Sequence, residues 1–129
     1  MKDTATIAQM TIRILGTIMI VLGVLIWTGH FDSLIALHRL FGFVLVIALW
    51  TLAYLVYTSG ANQGPAIAAF LWGLLAPILG LTQENILTGN GHWVIQILHL
   101  LIGLGLIGLG ERLGMLIKAS RPSTAPAAS

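Results

Sequence analysis

Four apolar stretches, at residues 9–28, 33–57, 65–82 and 92–118, follow one another along the chain with short polar or glycine-bearing segments between them. Each is near or beyond the roughly 18–20 residues a helix needs to cross the hydrocarbon core of a bilayer at about 1.5 Å per residue. Open sheets cannot satisfy their edges in lipid, so the pattern predicts four membrane-spanning helices. The third stretch is the shortest and is bracketed by Pro65 and Pro77. From Ala119 to Ser129 the chain turns rich in Pro, Ser and Ala and reads as a disordered tail. The expected fold class is all-α: one polytopic membrane four-helix bundle over residues 1–118, with a tail at 119–129.

The stretches also repeat. Leu15-Gly16 and Leu22-Gly23 in the first correspond to Trp72-Gly73 and Leu79-Gly80 in the third, each 57 residues later. In the second and fourth, Leu37-His38-Arg39-Leu40-Phe41-Gly42 corresponds to Leu98-His99-Leu100-Leu101-Ile102-Gly103, 61 residues later. The difference of four is a longer connection around Gln83-Glu84-Asn85-Ile86, and Thr28-Gly29-His30 is echoed by Thr88-Gly89-Asn90-Gly91-His92. The bundle is therefore expected to consist of two tandem two-helix repeats related by an axis along the membrane normal. That symmetry runs helices two and four in the same direction, facing each other across the bundle.

Composition agrees with a lipid environment. Hydrophobic residues make up 57% of the 129 and charged residues 8%, against about a quarter charged in soluble domains; the mean hydropathy is +0.97. No cysteine is present, which removes disulfides, thiolate metal sites and covalent haem attachment through Cys-x-x-Cys-His. The first stretch lacks a short core followed by an Ala-x-Ala site and is read as a retained helix, not a signal peptide. Lys2, Arg13, Arg112, Lys118 and Arg121 fall on the side shared by both termini, with only Arg39 opposite. The positive-inside rule then places both termini in the cytoplasm of a cell membrane and the four histidines toward the outer side. Trp27 and Trp93 near one boundary, and Trp50, Tyr54 and Tyr57 near the other, fit aromatic belts. The basic sequence pI near 9.5 comes from these few residues, so no nucleic-acid partner is expected.

Polar side chains inside a membrane helix are costly and face protein. On the fourth helix His92, Gln96, His99, Gly103 and Gly110 fall along one stripe, while the remaining surface is Leu and Ile. His38 and His99 each have a glycine four residues on, Gly42 and Gly103, which shares their helix face. A histidine beside a bare patch suits a flat porphyrin, so His38 and His99 are the expected axial ligands of one b-type haem. The ordinary alternative is a pair of interhelical packing histidines worth about 1 kcal/mol or less each. Other metals lack a second ligand at i+3 or i+4 and nearby carboxylates, since Glu84 and Asp32 belong to the connections. Arg39 is a candidate for pairing with a haem propionate, or for snorkelling to the interface. His30 and His92 lie about 11 Å further out, where they could meet propionates, a quinone head group or a second haem, or serve simply as interfacial polar residues. The run from Gly103 to Gly110, extended to Gly114, is close-packing chemistry within a membrane helix, not a dinucleotide loop.

Over residues 10–118 the chain resembles one four-helix half of the haem A synthase family. His38-Arg39 matches part of the Glu-x-x-His-Arg phrase of that family's second helix, His99 takes the place of the fourth-helix histidine, and Leu79-Gly80-Leu81-Thr82 is similar to a third-helix stretch. The resemblance implies a haem cradle between helices two and four. Where the family has its glutamate this chain has Ile35, so the resemblance implies the cradle without one residue of the chemistry. The expected function is electron transfer by a bis-histidine membrane cytochrome, its partners lipid and a quinol or redox subunit. The alternatives are a haem-modifying enzyme that dimerises to rebuild a full set of sites, and a cofactor-free assembly subunit.

Overall fold

The computed structural model describes residues 2–120 and contains four long helices: α1 (Lys2–Trp27), α2 (Ile35–Thr58), α3 (Gly64–Thr82) and α4 (His92–Ala119). Single 3-10 turns, Asp32–Leu34 and Gln83–Asn85, precede α2 and follow α3. All four helices are long and apolar enough to cross a membrane. Large side chains such as Ile7, Ile47, Ile78 and Met115 are exposed on the outside of the bundle. An apolar exterior of this kind is stable only in lipid, and the protein is a multi-pass membrane protein.

The observed helices match the apolar stretches to within two residues at every end except the start of α1. α1 starts seven residues earlier than its stretch, at Lys2 instead of residue 9, because Ala5 and Ala8 are buried in the core and carry the helix through a polar segment. α4 ends at Ala119, with Ser120 closing it through a backbone bond to Leu116. The tail expected from residue 119 thus loses Ala119 to the helix, and residues 121–129 lie outside the described residues. Pro65 sits in the first turn of α3, where its missing N–H costs nothing. Pro77 lies inside α3, four residues after Gly73, whose carbonyl it deprives of a partner. Thr17, Thr51 and Thr82 each donate to the carbonyl four residues back, at 2.7–2.8 Å. Their hydroxyls are satisfied without leaving the helix, as lipid requires. Gly29 and Gly60, at φ +74° and +75°, turn the chain after α1 and α2 where a side chain would be strained.

Neighbouring helices pack in the order α1–α2–α3–α4 and α4 closes back on α1, while α2 and α4 also meet across the diagonal. The tight core occupies one end. Ile12, Leu49, Leu52, Val56 and Leu113 are its fully buried side chains, and Ala66 and Ala69 admit close approach from α3. In an up-and-down bundle these positions share the end that holds the start of α1 and the end of α4. Two tryptophans lock α3 to its neighbours. Trp50 Nε1 donates to the Phe70 carbonyl at 3.2 Å and sits over Gly73, where a Cβ would strike the indole nitrogen. Trp72 Nε1 donates to the Ile102 carbonyl at 2.8 Å and sits over Gly105, where an added Cβ would lie 2.6 Å from the ring.

A polar cluster belongs to the same end. Glu111 accepts from Arg13 Nε at 2.6 Å, from Arg13 Nη2 at 2.8 Å and from Gln9 Nε2 at 2.9 Å. Gln9 is only 4% exposed, and it is seated where any side chain at Gly114 would collide with it. The carboxylate thus neutralises Arg13 by a two-point contact and satisfies the buried amide, so the α1–α4 seam carries polar groups without an unpaired charge. Gly110 similarly makes room for Ile12, since its Cβ would come within 2.7 Å of that side chain.

Candidate functional site

At the opposite end the packing opens. A cavity of ≈ 220 Å³ lies among all four helices, and both His38 and His99 line it. His38 stands in the first turn of α2 and His99 two turns into α4, and the diagonal contact of these helices brings their rings together. The ring centroids are 6.1 Å apart and the planes are inclined by 52°. No hydrogen bond joins the two imidazoles, and the Nδ1 atoms of both are buried without a hydrogen-bond partner. An unsatisfied buried polar atom costs about 1–3 kcal/mol, and here there are two, side by side.

Each imidazole rests against a glycine of the preceding helix. A Cβ on Gly23 of α1 would lie 3.5 Å from His38 Cε1, and one on Gly80 of α3 would lie 3.1 Å from His99 Cε1. At Gly80 the missing side chain gives the His99 ring its seat, whereas at Gly23 the His38 ring lies at ordinary contact distance. The glycines one turn along from the histidines play another part. Gly42 lines the cavity with the Met19 methyl 3.5 Å from where its Cβ would stand; Gly103 lines it too, with nothing within 4 Å. They shape space beside the rings, and Gly103 leaves that space empty.

Arg39 and Gln96 also line the cavity. Arg39 Nη2 donates to Glu84 Oε1 at 3.2 Å, which ties the first turn of α2 to the 3-10 turn after α3 at the cavity mouth. Two residues of the expected set stand apart from the cavity. His30 is exposed in the α1–α2 connection. His92 begins α4 and its Nδ1 is 3.3 Å from the Ile86 carbonyl, so it fastens the α3–α4 connection. Among the described residues no group of three or more His, Cys, Asp or Glu is placed to hold a metal ion.

Three features escaped the residue pattern. Gly23 and Gly80 belong to the 57-residue correspondence, but their place against His38 and His99 depends on helix crossing. Glu84 is a connection residue whose partner is fixed only once the turn folds back over the bundle. Gln9, Arg13 and Glu111 come from opposite ends of the chain. Their signal was a polar or charged side chain within otherwise apolar stretches, which calls for a partner without naming it.

No family model, curated protein or solved structure matches the chain.

Proposed function

We propose that the chain is a b-type membrane cytochrome in which His38 and His99 are the two axial ligands of a single haem, passing electrons. The observation that carries the reading is two neighbouring imidazoles, centroids 6.1 Å apart, whose buried Nδ1 atoms have no hydrogen-bond partner. A metal–imidazole bond is about 2 Å and the ring centre lies about 1.1 Å further back, so rings on opposite sides of one atom have centroids about 6 Å apart. A packing pair would gain by hydrogen bonding, and these nitrogens have none. The half-open cavity of ≈ 220 Å³ is below the roughly 300–1,000 Å³ of common small-molecule pockets. A porphyrin would thus reach out through the open side of the cavity. When bound, haem supplies a one-electron centre, and two protein ligands leave iron no vacant position for oxygen. The chain's own part is to orient the imidazoles over Gly23 and Gly80 and to shield them with apolar walls.

The resemblance to haem A synthase supports the cradle more than the catalysis. Ile35 lines the cavity, placing an apolar side chain where that family has a carboxylate, so electron transfer is the better reading. Two tandem hairpins are supported by contacts that recur in register. Gly23–His38 corresponds to Gly80–His99, and Arg13–Glu111 of α1 and α4 corresponds to Phe70–Trp50 of α3 and α2. Both termini are assigned to the cytoplasm on the distribution of basic residues, with the histidine end outward in the cell membrane. A quinol or another redox subunit is the expected partner, and a homodimer is compatible with this arrangement.

The test is the visible spectrum of the detergent-purified protein before and after dithionite. A sharp reduced α-band that is lost in both His38→Ala and His99→Ala supports the cytochrome. A colourless protein after haem-replete expression leaves the assembly-subunit reading, and conversion of added haem O to a new pigment favours the enzyme.

A further inference from the structure

Arg39 follows His38 directly in the sequence, and Glu84 follows Gly80, the seat of His99, by four residues. Both line the histidine cavity, and their ion pair spans its mouth. The contact is a single bond of 3.2 Å between side chains that are 45% and 62% exposed. It contrasts with the short two-point pairing of Arg13 with Glu111 at the other end. An exposed, one-point ion pair holds its partners weakly, whereas guanidinium can hold a carboxylate through two parallel bonds. Arg39 is thus a cation at the entrance of an apolar cavity, held by a carboxylate that a better-placed one could displace.

We infer that Arg39 is the carboxylate-binding residue of this cavity and that Glu84 is its built-in competitor, holding the guanidinium until an occupant bearing carboxylates arrives. The inference rests on the haem reading and makes it more specific. The occupant enters with its acidic edge at the mouth and its apolar ring toward Gly16 and Ile107 at the cavity floor, and Glu84 yields its place on Arg39. Glu84 also repels an anionic occupant, so losing its charge acts in the same direction as freeing Arg39.

The 129-residue chain, prepared without haem in detergent, is titrated with iron protoporphyrin IX and separately with its dimethyl ester, which keeps ring and iron but lacks carboxylates. Because the ester partitions differently into detergent, the readout is the ratio of the two affinities, compared between variants. Glu84→Gln should shift that ratio toward the free acid by about 2–5-fold. Arg39→Gln should shift it toward the ester by about tenfold. Asp32→Asn, which removes the same charge from the α1–α2 connection without touching Arg39, should leave it unchanged. An unaltered ratio in both Glu84→Gln and Arg39→Gln, or an equal shift in Asp32→Asn, overturns the inference while the cytochrome stands. If neither porphyrin binds the wild-type protein through the histidines, the cytochrome reading falls and this inference falls with it.

Discussion

The two ends of this bundle treat polar groups in opposite ways. At the end holding the start of α1, Gln9, Arg13 and Glu111 satisfy one another within 2.6–2.9 Å, and every glycine on that seam is filled by a neighbouring side chain. At the other end two histidines are brought together and left unsatisfied, and Gly103 faces empty space. Burying polar atoms in lipid without partners is expensive. A fold that completes its polar network at one end has the means to complete it at the other. The proposed haem site rests on this difference: the first end is internally satisfied, and the second leaves two buried Nδ1 atoms without partners.

The two ends should respond most differently to truncation of the histidines and of the packed core. His38→Ala or His99→Ala should abolish bis-histidine haem binding, read as loss of the reduced α-band, while the melting temperature of the haem-free protein stays the same or rises. Leu52→Ala, at the packed end, should do the reverse: it opens a cavity in the core and lowers stability by roughly 2 kcal/mol or more, with the haem spectrum unchanged in shape. Should Leu52→Ala erase the spectrum at temperatures where the protein is folded, the two ends are not independent.

Glycine substitutions sharpen the contrast at finer scale. Gly80→Ala places a methyl 3.1 Å from His99 Cε1, whereas Gly23→Ala meets His38 at an ordinary 3.5 Å. Gly80→Ala should weaken haem retention about tenfold by tilting the ring, and Gly23→Ala should have little effect, both measured by haem transfer to a soluble acceptor. Gly103→Leu enters open space, so the haem-free protein should tolerate it while haem occupancy falls. Gly114→Leu, which would displace Gln9, should lower thermal stability without altering ligation. A modest effect is expected for Trp50→Phe, which keeps the stacking on Phe70 and removes one hydrogen bond, a loss of about 1 kcal/mol seen only in the melting curve.

Most of the architecture was legible in the chain because lipid leaves few choices: four apolar runs of spanning length must be helices. The start of α1 was not, since residues 2–8 carry no apolar run and are helical through the packing of Ala5 and Ala8. Spacing also singled out His38 and His99, because a repeated polar residue at matching depth in an apolar helix has to face protein. It pointed to Gly42 and Gly103 as the bare surface beside them, and both line the cavity. The closer neighbours of the rings, Gly23 and Gly80, lie on other helices and could be assigned only by the crossing of α1 with α2 and of α3 with α4. Loop closure likewise decides that Arg39 meets Glu84, and no local pattern encodes it.

The most direct measurement is low-temperature electron paramagnetic resonance of the oxidised protein, with iron counted per chain. One iron per chain is expected in a low-spin signal from two imidazoles, converted to high-spin or lost in either His38→Ala or His99→Ala. A chain that takes up no iron, or a low-spin signal that survives both substitutions, would contradict the bis-histidine reading.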